Sequence, residues 1–138
     1  MHRAGAAIAC FAPAPAGSVA ADATDPELGD DMAFHSAPPA TPTVQQDDDV
    51  VRITRWDFEP GAATGWHEHG HPYFVVMLKA GTLRIHNGET ETAVPLAEGQ
   101  SYRRPAGIRH DVMNGSPHPV AFIEIEIKRP EALDGRAV

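Results

Sequence analysis

From Val50 onward the chain breaks into short runs rich in β-branched and aromatic residues, with glycine or proline returning about every ten positions. That rhythm needs no helix longer than a turn before Pro130, and it predicts an all-β sandwich or barrel. The expected strands are 50–58, 73–79, 82–87, 91–96, 100–104, 108–114 and 119–128. In the last of them Ala121, Ile123, Ile125 and Ile127 alternate with Phe122, Glu124, Glu126 and Lys128. Side chains alternate across a strand, so the isoleucine face is expected to be buried and the other mostly wet. Between the strands lie Glu59-Pro60-Gly61, Lys79-Ala80-Gly81, Asn87-Gly88, Glu98-Gly99, Pro105-Ala106-Gly107 and Asn114-Gly115, with Asn87-Gly88 suited to a tight hairpin.

Residues 1–49 are different in kind. They are rich in Ala, Pro, Asp and Thr without a period of strand or helix, and cannot bury enough apolar surface to offset the entropy of ordering. This leader is expected to be disordered, residues 50–129 to form one barrel domain, and 130–138 to be a tail. Within residues 1–23, Arg3, the stretch from Ala4 to Phe11 and the small residues near Ser18 to Ala23 have the order of a secretory signal. Pro13, Pro15 and the weak basic end argue against it, so a cytoplasmic protein is expected, with export as the alternative. The other account of the leader is a flexible tail or an upstream start codon wrongly chosen.

The formal charge of −8 belongs mostly to that leader, which carries eight acids against Arg3, whereas residues 50–129 carry nine charges of each sign. A neutral domain lacks the clustered Lys and Arg that phosphate backbones require, which argues against nucleic acid and anionic membrane surfaces as partners. No apolar run approaches the roughly 18 residues that would span a bilayer. Cys10 is the single cysteine, so an intrachain disulfide is impossible.

His67 and His69 lie two apart, and in a strand that spacing points both imidazoles to the same face. His110 follows the Pro105-x-Gly107 turn, and a strand entering there would bring a third imidazole across a barrel interior. Three converging histidines form a metal site with positions left open for water or substrate.

The wider spacing resembles a known family. Gly61, five residues, His67-x-His69 and a closing Gly81 resemble the first motif of the cupins. Gly99, five residues, Pro105, Gly107, His110 and Asn114 resemble the second with every named position present. The string from Arg52 to Trp56, with Thr64-Gly65-Trp66-His67, is also similar to small stand-alone bacterial cupins, some of them assigned to β-alanine degradation. The resemblance implies a double-stranded β-helix, or jelly-roll barrel, with one divalent metal held in its mouth by His67, His69 and His110. The fourth ligand of the family, a glutamate, is missing, since Tyr73 and Phe74 occupy its positions. Three neutral ligands would leave a divalent ion at about +2 rather than +1, favouring an anionic or chelating substrate. The likeness then leans toward three-histidine dioxygenases that use ferrous iron, while imidazole also suits zinc, manganese, nickel and copper.

Other side chains have two readings each. His71 shares the parity of His67 and His69 and would be a further ligand or proton shuttle, unless Gly70 and Pro72 bend it to the rim. Tyr73 either donates a hydrogen bond to bound substrate or is a core aromatic with its hydroxyl at the rim. Arg104 or Arg103, whichever faces inward, would clamp a carboxylate together with Tyr102, or else belongs to a solvated strand face. Arg109 and Asp111 are expected to pair outward, Glu68 to point outward, and Asn114 to order the turn at Gly115. His86 and His118 are given no role.

Three functions compete: a metalloenzyme acting on a small carbonyl, thiol or carboxylate compound; a non-catalytic small-ligand-binding or sensing protein; and a sugar isomerase or epimerase, which the missing carboxylate disfavours. A homodimer that hides exposed sheet edges is expected.

Overall fold

A computed structural model describes residues 34–133. The signal-like segment 1–23 and Cys10 lie outside the described residues, as does the end of the tail. Among the described residues nine strands make up almost all of the regular structure: β1 (Thr41–Asp47), β2 (Val51–Phe58), β3 (His67–Glu68), β4 (Tyr73–Lys79), β5 (Gly81–His86), β6 (Glu91–Leu96), β7 (Ser101–Arg104), β8 (Arg109–Asn114) and β9 (Val120–Ile127). They form a five-stranded sheet in the order β1-β2-β9-β4-β7 and a four-stranded sheet in the order β3-β8-β5-β6, every pair antiparallel. The two sheets face one another as a double-stranded β-helix and enclose Phe58, Tyr73, Val75, Met77, Leu83, Val94, Leu96, Val112, Val120 and Phe122.

The seven expected strands fall within a residue of β2 and β4 to β9. Three features differ. The leader does not stay irregular up to Asp49: Thr41–Asp47 pairs along β2, and Phe34 packs with Ala63 and Met113 in a small second cluster. The Asn87-Gly88 turn is a four-residue loop in which Asn87 Oδ1 accepts from the backbone N–H of Glu89 (2.9 Å) and Thr90 (2.8 Å). In β9, the face bearing Phe122, Glu124 and Glu126 looks into the barrel, because Phe122 pairs with Trp56 and Met77, whereas Ile123 and Ile125 pair with Val76 and Phe74 on the outside.

Gly81 is required by packing. A Cβ there would collide with Val120 Cγ2 and lie 2.9 Å from Ser116 Oγ, so only glycine lets β5 start against β9. Asn114 is buried, donates to the carbonyls of His118 (2.8 Å) and Phe58 (3.3 Å), and accepts from Ser116 N–H (2.8 Å). It thus fixes the turn at Gly115, as expected, and also ties it to the end of β2.

Candidate metal centre

β3 lies beside β8 with His67 directly opposite His110. His69 follows at the end of β3, held by its own N–H on Ile108 O and its carbonyl on Gly107 N–H, both 2.8 Å. This local pairing, set by the turn before β8, brings the three imidazoles together. His67 Nε2 lies 3.1 Å from His69 Nε2, which lies 3.2 Å from His110 Nε2, and the donor atoms of all three are within 4.8 Å of one another.

Three lone pairs aimed at one point repel unless a cation lies between them. Bonds of about 2.1 Å place their donor atoms ~3.0 Å apart at right angles and ~3.4 Å apart at the tetrahedral angle. The His67–His69 and His69–His110 spacings fall between these values, and with all three donors within 4.8 Å of one another the residues are compatible with a single transition-metal ion.

Protonation agrees with that fit. His67 Nδ1 lies 2.8 Å from the carbonyl oxygen of Gly65; a carbonyl only accepts, so Nδ1 carries the proton and Nε2 keeps its lone pair. Burial, followed by the neighbouring imidazoles and Arg104, lowers His110 to about 2, and burial also lowers His67. Both rings are therefore neutral near pH 7, the form a cation requires. Gly65 makes the anchor possible: with φ of 93° it turns its carbonyl toward His67 while its N–H donates to Asp111 Oδ1 (3.0 Å).

His69 is buried and stacks on Tyr73, ring centroids 3.8 Å apart. Two carboxylates from β9 bracket it: Glu126 Oε2 lies 3.5 Å from Nδ1 and Glu124 Oε2 lies 3.5 Å from Nε2. Burial pushes the Glu124 carboxyl up, whereas the His69 contact holds Glu126 down. The donors that converge are the three imidazoles alone, but two carboxylates stand beside His69, which the sequence reading does not anticipate. The signal lies in the alternation of β9, whose inward face is the one that carries Glu124 and Glu126.

Of the other candidates, His71 is not among the donors that converge; it lies in the bend between β3 and β4. Tyr73 faces inward and is buried, and burial raises its phenol so that it stays protonated. Arg104 is the inward member of its pair and Arg103 is exposed. Tyr73, Tyr102, Arg104 and His110 line a cavity of about 260 Å³. Asp111 does not pair with Arg109: it is buried on Gly65 N–H, and Arg109 reaches the exposed Glu68 at 3.4 Å. His86 packs on Phe34 and His118 is exposed.

An antiparallel double-stranded β-helix of two sheets with a converging histidine trio defines a class of small β-barrel proteins with a candidate metal centre. The cupin domain model matches residues 54–126, and the chain belongs to the cupin family. The β-alanine degradation protein BauB of Pseudomonas aeruginosa is 52% identical over 91 residues, which cover 66% of this chain and 96% of that one. A crystal structure of a cupin domain from Bordetella pertussis Tohama I is 44% identical with a TM-score of 0.66, covering 68% of this chain and 98% of that one. A double-stranded β-helix protein from Klebsiella pneumoniae shares the fold at 21% identity, with a TM-score of 0.56 over 65% of this chain and 77% of its own. Among the described residues no helix is long and apolar enough to cross a membrane.

Proposed function

We propose that this cupin is a mononuclear metalloenzyme that holds a divalent ion with His67, His69 and His110 and acts on a small carboxylate, thiol or carbonyl compound. The observation that carries the reading is the convergence of three imidazole nitrogens, with successive spacings of 3.1 and 3.2 Å. When bound, the ion would supply Lewis acidity and, if ferrous, a site for dioxygen chemistry.

The rest is the work of the chain. The cavity of about 260 Å³ beside His110 lies below the ~300 Å³ lower bound of drug-sized pockets, which favours small compounds. Arg104 lines that cavity with a guanidinium of the kind that suits a carboxylate, and Tyr73, protonated at neutral pH, brings a phenol O–H to it. BauB is named for β-alanine degradation, and β-alanine is itself a small carboxylate, the class that Arg104 suits.

Two copies are proposed to pair through the outer face of the five-stranded sheet. That face presents Phe74, 39% exposed, beside Ile123 and Ile125. The same face carries the Arg55–Asp57 pair at 2.9 Å and, directly across the ladder from Phe74, the exposed Arg103 at its β7 edge.

Elemental analysis of protein purified without chelator, followed by oxygen uptake on a panel of small carboxylates, thiols and diketones, tests the enzymatic reading. Iron with substrate-dependent uptake is expected. Protein that is metal-free and cannot be loaded would favour a binding or sensing role.

A further inference from the structure

The glutamate that the cupin motif lacks at positions 73 and 74 has a counterpart one strand away. Across the β4–β9 ladder Tyr73 pairs with Glu126 and Val75 with Glu124, so both carboxylates stand on the barrel-facing side of the same sheet. Glu124 has a side chain only 12% exposed. Its Oε1 accepts from Trp56 Nε1 at 3.1 Å, while Oε2 points to His69 Nε2, the nitrogen that also approaches His67 and His110. A carboxylate this buried, with one neutral N–H on one oxygen and only the half-exposed Arg52, which pairs with Glu126 in the ladder, acting on it as a side-chain cation, gains from a metal ion at the histidine cluster.

We propose that Glu124 supplies the fourth protein ligand of the metal centre, in place of the motif glutamate. Glu124 is not among the donors already within 4.8 Å of one another, so ligation requires its carboxylate to swing toward the cluster; the Trp56 bond orients the other oxygen but is not needed for ligation. Glu126, on the far side of His69, is the orienting partner of that ring. This inference rests on the metal-centre reading above.

The test uses the full chain loaded with zinc or cobalt(II). Glu124→Gln keeps the side-chain size and an oxygen for Trp56 but removes the charge. In competition with a chromophoric chelator its affinity should fall about tenfold or more. The visible bands of the cobalt form should change in position and intensity as the donor set changes. Trp56→Phe, which removes the tether and leaves the carboxylate, should keep the cobalt spectrum. If Glu124→Gln does not fold, Glu124→Asp serves, with weakened affinity expected. Wild-type affinity and an unchanged spectrum in Glu124→Gln, with metal binding still lost in His110→Ala, would overturn this inference alone. A wild-type chain that takes up no metal would overturn the parent reading as well.

Discussion

The Nδ1–H of His67 is committed to the carbonyl oxygen of Gly65 at 2.8 Å, and this one bond decides which nitrogen of the ring faces the interior of the site. Residues 65 and 67 thus act as a unit in which backbone conformation sets the chemistry of a side chain.

That unit predicts the behaviour of Gly65→Ala. A Cβ at this position meets no atom within 4 Å, so the cost is purely conformational, about 1–2 kcal/mol for a non-glycine residue held at positive φ. Relief by backbone rotation would withdraw the carbonyl from His67. Thermal unfolding should show the loss of stability, and isothermal titration should show metal affinity falling severalfold. Unchanged affinity would mean that His67 does not depend on this anchor.

The β1–β2 turn predicts a pH dependence. Asp48 accepts from Gln46 Nε2 at 3.0 Å and from the backbone N–H of Val51 (2.9 Å) and Val50 (2.8 Å), which together lower its carboxyl to about 2. A carboxylate with its pKa depressed by folding contributes fully above the unfolded value near 4 and loses that contribution as pH falls through the folded value. Asp48→Ala should therefore melt below the wild type at pH 7, with the gap closing between about pH 4 and 2. A gap that persists undiminished at pH 2 would contradict the assignment.

The outer sheet face predicts oligomeric state. Light scattering coupled to size exclusion should give twice the monomer mass for the wild type, and Phe74→Glu, at a position 39% exposed, should halve it without unfolding the barrel. A monomeric wild type, or a variant that still pairs, would rule out this face.

Sequence spacing was a good guide to the barrel and the histidine trio, and the reasons are physical. Turns marked by glycine and proline break the chain where strands must end, so β2 and β4 to β9 could be placed. His67 and His110 meet because the Pro105–Gly107 turn sets the register of β8 against β3. β1 was not legible: Thr41–Asp47 is exposed along its whole length, so it carries no apolar alternation and is held by pairing to β2. The orientation of β9 is hidden from the sequence for a related reason. Alternation shows that a strand has two faces, but the interior here includes a polar site, so Glu124 and Glu126 turn inward while Ile123 and Ile125 lie outside.

The most direct measurement is an anomalous difference map, collected at the absorption edge of the bound metal, from crystals of protein grown without chelator. One peak about 2.0–2.2 Å from the Nε2 atoms of His67, His69 and His110 together is the predicted result. A metal peak that one or more of these imidazoles cannot reach, or no peak from protein soaked in zinc or iron, would contradict the account.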